Sequence, residues 1–168
     1  YLPGLAAGGV EYQNQFGKTV CPGVSKEELE FLGQLPKKME RQLNKDLNSI
    51  FAFLKKEEIK LISESAILAT KFSPTINLNG IFSLIPNDLV LQKKVQITIQ
   101  KIMEGLINLA IDEGLRDSFY LHIAPNLAKE GEKEIIKFSS LGDVGTTDIQ
   151  FMLSGAVKEA GLLVLINN

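Results

Sequence analysis

Between Pro86 and Gly114 the apolar residues are too numerous to fit on one side of a helix. Leu91, Val95, Ile99, Ile102, Leu106, Leu109 and Ala110 recur at three-four spacing, which is one α-helical stripe. Val90, Ile97, Met103, Ile107 and Ile111 fall off that stripe and widen it. A helix apolar on most of its circumference is normally covered by several neighbours. The fold expected from this is mainly α, a helical bundle around a buried central helix at 88–113. Asn87 or Asp88 would cap that helix and Gly114 would end it as the C′ residue. The feature implies an architecture and carries no chemistry.

Further helices are expected around it. Ser25-Lys-Glu-Glu28 matches a capping box, with Val24 and Leu29 placed for a hydrophobic staple. It opens a short helix at 26–35 that Pro36 should end. Met39, Leu43, Leu47, Ile50, Phe51 and Leu54 predict a second helix at 37–56, and Ile59, Ile62, Ala66 and Ala69 a third at 57–71. Asn79-Gly80 between two short apolar runs predicts a small β-hairpin near 75–84. Ile149, Met152, Leu153, Ala156 and Ala160 predict a final helix at 147–160. The alternative is α+β, in which that hairpin and strands near 118–124, 134–138 and 162–166 build a small sheet.

Residues 1–24 differ in composition from the rest of the chain. They hold five of the 14 glycines and two of the six prolines, with Glu11 and Lys18 their only charges. Such a composition resists regular structure, yet Leu2, Leu5, Val10, Tyr12, Phe16 and Val20 are too apolar for a solvated tail. The expected organisation is an extended N-terminal arm, 1–24, lying on its own body or on a partner, and a single globular domain, 25–168. A chain of 168 residues is one domain by the usual length prior. The start at Tyr1 lacks the charged n-region of a signal peptide, and the compartment is left open.

Several function classes find no support. With 18 Lys and Arg against 20 Asp and Glu, the net charge of −2 gives no basic footprint for nucleic acid. Lys37, Lys38, Arg41 and Lys45 are interleaved with or followed by Glu40, Asp46, Glu57 and Glu58, the pattern of a solvated helix face. No apolar run approaches the roughly 18 residues of a membrane span, so no transmembrane segment is expected. Neither GxxxxGK[ST] nor GxGxxG occurs, and Asp143 and Asp148 would repel phosphate from the Gly142–Gly145 loop, which reads as a turn.

His122 is the one histidine. As a general base it would need an orienting partner, but Asp117 stands five residues away, a poor contact spacing in a helix, and among Tyr120, Leu121 and Ile123 it reads as a packed side chain. Cys21, the one cysteine, excludes an internal disulfide; as a nucleophile it would need a basic neighbour, with Lys18 the nearest in sequence. Glu104, Asp112, Glu113 and Asp117 would hold a cation only by converging, and Arg116 among them favours ion pairing. No catalytic, cofactor-binding or metal-ligating residue is therefore assigned, and no cofactor is expected. The function expected is a non-enzymatic interaction or assembly subunit, its protein partner met through Leu2, Leu5, Tyr12 and Phe16 of the arm. The alternatives are a binding module for an apolar small molecule, or a small enzyme using His122 or Cys21.

Overall fold

The computed structural model describes residues 4–6, 10–14, 16–21, 23–124, 127–130, 133–136 and 148–154. Helix α1, Lys26–Ile50, opens with the capping box: the Ser25 hydroxyl accepts from the Glu28 N–H at 3.1 Å, and Glu28 accepts from the Ser25 N–H at 2.7 Å. Pro36 does not end it. A proline inside a helix costs about 3 kcal/mol through its missing N–H and its clash with the preceding turn. Leu32, Leu35, Met39, Leu43 and Leu47 nevertheless form one stripe across Pro36, each at most 1% exposed. At about 1.5–3 kcal/mol per fully buried side chain, that stripe outweighs the proline. The expected break between 26–35 and 37–56 is thus replaced by one continuous helix.

Helix α2, Lys56–Ala66, buries Ile59, Ser63 and Ala66 and stops short of 71, because Ile67–Leu68 turn into strand β4. β4 pairs antiparallel with β5, Thr75–Asn77. The hairpin expected at Asn79-Gly80 does not form. Asn79–Phe82 instead make a single helical turn, α3, closed by the Phe82 N–H donating to the Leu78 carbonyl at 2.8 Å. Adjacent residues in a strand point to opposite faces, whereas the turn lets Ile81 and Phe82 both reach the core, at 0% and 2% exposure.

Helix α4, Leu89–Asp112, has Asp88 as its N-cap, the carboxylate accepting from the Leu91 N–H at 2.9 Å. At its other end Gly114, at φ +85°, donates to Ile111 at 3.0 Å and Leu115 donates to Ala110 at 2.8 Å. These are the two bonds of a Schellman stop. The helix is not wrapped on all sides. Val95, Ile99, Ile102, Met103, Leu106 and Ala110 are buried, but Val90 is 82% and Ile97 44% exposed. It lies as one layer, beside α1 and across the sheet.

That sheet overturns the helical bundle. Strand β6, Phe119–Ala124, pairs antiparallel with β9, Asp148–Leu153, and β9 pairs with β5, giving the order β4-β5-β9-β6. The segment expected to begin a helix at 147–160 is therefore a strand where it is described, and 155–160 lie outside the described residues. Ile149, Phe151 and Leu153 are buried, while Asp148, Gln150 and Met152 between them are half-buried. A period of two satisfies the core, where the helical spacing would have left Phe151 off the stripe. Between β6 and β9, Leu127–Glu130 (β7) and Lys133–Ile136 (β8) form a two-stranded antiparallel ribbon. The strand expected at 162–166 falls outside the described residues. Phe119 and Phe151 meet with ring centroids 5.0 Å apart, and Phe31 of α1 closes on them at 5.4 and 6.0 Å. The architecture is a mixed one, helices packed on a four-stranded antiparallel sheet.

Within 1–24, Gly4–Ala6 (β1), Glu11–Gln13 (β2) and Thr19–Val20 (β3) form a three-stranded antiparallel sheet, so this segment does take regular structure. Its β2–β3 turn is built by Asn14, whose side-chain oxygen accepts from the N–H groups of Phe16 and Lys18 at 3.0 and 2.9 Å. Val10 and Tyr12 are buried, and Glu11 pairs with Lys71 beside β4.

Candidate functional site

A concavity lies where α1 and α4 run side by side. Leu43 and Leu47 of α1 and Ile99 and Met103 of α4 are completely buried, which draws the two helices together. The residues flanking those stripes then face each other across a groove of about 590 Å³. From α1 come Lys38, Arg41, Gln42 and Asp46, at the three-four spacing of one helical face; from α4 come Thr98, Lys101 and Gly105, also three to four apart. The floor and one wall are apolar, made by Ile102, Leu106 and Leu109.

Three cations and one carboxylate line this groove, so its field favours an anion. Lys38 is held at one end, its ammonium 3.6 Å from Glu113 at the close of α4 and 5.2 Å from the Phe31 ring centre. Among the described residues neither Arg41 nor Lys101 has an ion-pair partner. Both are exposed, and among the described residues nothing engages their donors. Gln42 donates to Asp46 at 2.9 Å, which ties the two side chains together along α1. The Thr98 hydroxyl donates to the Lys94 carbonyl at 2.9 Å, leaving its oxygen as an acceptor. A ligand that is anionic at one end and rich in hydroxyls at the other would find partners for both parts. The arrangement suits recognition of an oxyanion.

The residues singled out from the sequence lie elsewhere. His122 is exposed on the outer face of the sheet, opposite Gln150 in register, and is not the packed side chain expected. Cys21 is half-buried against the core just after β3, close enough to Lys71 to act on its ammonium. Lys71 follows β4 at one edge of the sheet and His122 belongs to β6 at the other, so the fold does not unite the two. Glu11, accepting from Lys71, pushes that ammonium above its ordinary range. Burial pushes the Asp148 carboxyl above the usual carboxylate range, partly opposed by the hydrogen bond from Asn77.

Among the described residues, the carboxylates near the end of α4 included, no three metal-ligating side chains come together. The Gly142–Gly145 loop lies outside the described residues. Of the arm positions, Tyr12 is buried, Phe16 is 80% exposed, Leu5 lies in β1, and Leu2 is outside the described residues.

Lys38 and Arg41 are visible in the sequence as part of a charged helix face, and nothing there points to Lys101 as their counterpart. The family model described as glucosylglycerol-phosphate phosphatase matches residues 1–168, the whole chain. The chain belongs to the glucosylglycerol-phosphate phosphatase family. It is 43% identical over 168 residues to the glucosylglycerol-phosphate phosphatase of Synechocystis sp., an alignment covering 99% of this chain and 40% of that protein. The chain thus spans about two fifths of the length of this relative. No solved structure matches it.

Membership of a phosphatase family overturns the non-enzymatic assembly subunit and the apolar-ligand module expected from the sequence, and with them the leaning against an enzyme. Those expectations rested on the apolar arm and on the lack of a partnered catalytic group around His122 or Cys21. Groups that recognise a phosphate are lysines and arginines, which in sequence look like any solvated surface. No helix among the described residues is long and apolar enough to cross a membrane.

Proposed function

We propose that this chain serves the hydrolysis of a sugar phosphate monoester of the glucosylglycerol phosphate kind, and that the α1–α4 groove recognises that ester. The observation that carries the reading is the family match over the full chain, with 43% identity to a relative named for this activity. The geometry agrees in chemistry. Arg41 offers a planar fork to the phosphate oxygens, Lys101 and Lys38 supply point charges, and Gln42, Asp46 and Thr98 are partners for hydroxyls. The apolar wall of Ile102, Leu106 and Leu109 suits the C–H face of a sugar ring. The role assigned to the groove is binding and orientation. Its simplest test is calorimetric titration of the protein with glucosylglycerol phosphate, in which saturable binding supports the assignment and no heat of binding removes it.

Gly105 gives a sharper probe. A Cβ added there meets nothing within 4 Å, so alanine fits without displacing a neighbour while projecting into the groove. Gly105→Ala should stabilise α4 by about 0.5–1 kcal/mol, the usual gain over glycine in a helix interior. It should also weaken binding of the ester severalfold. A higher melting temperature with undiminished affinity would show that the ligand does not pass over Gly105.

A second reading concerns a protein contact through the arm. Of Leu2, Leu5, Tyr12 and Phe16, it is Phe16 that supports it, at 80% exposure beside the tight turn of Asn14. Phe16→Ser should leave the melting temperature within about 1 °C, as a fully solvated position does. It should also abolish any self-association seen by analytical ultracentrifugation; association unchanged by Phe16→Ser removes the residue from the contact.

A further inference from the structure

On the adjoining face of α1, turned toward α2, lies a smaller pocket of about 420 Å³ lined by Lys37, Glu40, Arg41, Asn44 and Lys60. The first four recur at i, i+3, i+4 and i+7, one face of α1, and Lys60 approaches from α2. Three of the five are cations. Lys60 is paired with Glu64 at 3.6 Å in an exposed i,i+4 contact, a kind that yields readily to a competing anion. Asn44 has its side-chain oxygen occupied, accepting from Asn48 at 3.0 Å, so the donors it has left are the two hydrogens of its amide. Arg41, Lys37, Lys60 and Asn44 therefore all present donors, as an oxyanion site requires.

Glu40 is the informative member. A carboxylate in a cationic pocket repels a fully deprotonated anion, but it accepts a hydrogen bond from an anion that still carries a proton. Hydrogen phosphate has such a P–OH group; sulfate and the dianion of a phosphate monoester do not. We infer that the pocket between α1 and α2 is a binding site for inorganic hydrogen phosphate, with Glu40 selecting it against sulfate and against phosphate esters. Arg41 lines both this pocket and the α1–α4 groove, and its one guanidinium cannot fork to an anion on each side at once. Phosphate held here lowers the grip of the groove on its own ligand. In that respect the inference rests on the phosphatase reading, under which phosphate is the product released.

The test is titration of the protein with sodium phosphate, sodium sulfate and glycerol phosphate at matched ionic strength, with melting curves to confirm that each surface variant folds. Read at the Lys60 amide, which reports this pocket and not the groove, phosphate should bind at least about tenfold more tightly than either competitor, the discrimination available to a charge-assisted hydrogen bond. Lys60→Gln should lower phosphate affinity about tenfold, while Lys93→Gln, exposed on α4 and lining neither cavity, leaves it within about twofold. Glu40→Gln should bring sulfate to within about threefold of phosphate. Equal affinity for phosphate and sulfate in the unaltered protein, or phosphate binding indifferent to Lys60→Gln, overturns the inference. Failure of glucosylglycerol phosphate to bind, with this phosphate profile intact, overturns the substrate reading and leaves the second site standing.

Discussion

Phe151→Ala should destabilise the protein by about 3–5 kcal/mol, the range for removing a large buried aromatic ring. Phe151 is completely buried and lies in β9, between β5 and β6. Its ring stands 5.0 Å from Phe119 and 6.0 Å from Phe31, so the substitution opens a void where the sheet meets α1. Domains of this size are stable by only about 5–15 kcal/mol; a loss of that size is a large share of the whole. Met152, next along the strand, points to the other face and is half-buried. Met152→Ala should cost roughly 1 kcal/mol or less, as a partly solvated side chain does. Chemical denaturation of both variants reads the alternation directly. If residues 148–153 were helical, Ile149, Met152 and Leu153 would share a face, and Met152→Ala would rank with Leu153→Ala as a large loss.

The second large effect belongs to the groove. Arg41→Gln combined with Lys101→Gln should weaken binding of glucosylglycerol phosphate by about 10²- to 10³-fold, since each charge-assisted contact contributes about 1.5–3 kcal/mol and part of this is shared. Both side chains are exposed and, among the described residues, make no ion pair within the protein. The double variant should therefore keep its melting temperature within about 2 °C. Lys38→Gln should be weaker in its effect on binding, because the lysine is already engaged by Glu113 at 3.6 Å, and it should also loosen the tie between α1 and the end of α4. Selective loss of affinity at constant stability is the signature of a recognition surface, and a parallel fall in both would mark the cations as structural.

The contrast between what the sequence revealed and what it hid has a consistent physical origin. Local chemistry was legible. The Ser25–Glu28 capping box, the Asp88 cap and the Gly114 stop depend on neighbours a few residues away, and each forms as its residue types imply. Features decided by distant partners were not legible. Pro36 should have broken α1, and did not because the leucine stripe on both sides of it is buried by α4 and the sheet. Asn79-Gly80 is a favoured hairpin pair, yet Ile76 takes Ile149 as its partner, 73 positions on, and the turn becomes helical. Residues 148–153 satisfy either period, and only Phe151 between Phe31 and Phe119 settles which one holds.

The groove was hidden for the same reason. Lys38 and Arg41 alternate with carboxylates along α1 and look solvated until α4 sets Lys101 opposite them. Their role depends on a juxtaposition of helices some 60 residues apart in the chain. His122 and Cys21 drew attention as chemically distinctive side chains, and the fold leaves His122 on β6 of the four-stranded sheet and Cys21 just after β3 of the three-stranded one.

The central claim is that the cationic groove between α1 and α4 recognises the phosphate ester for which the family is named. The most direct measurement is a titration with glucosylglycerol phosphate followed residue by residue in amide NMR spectra of the unaltered protein and of Arg41→Gln/Lys101→Gln. The claim predicts saturable shifts confined to residues 38–46 and 98–109, lost in the double variant while the remaining spectrum is unchanged. Saturable shifts centred on the outer face of the sheet around His122 and Gln150, or shifts that survive loss of both cations, would contradict it.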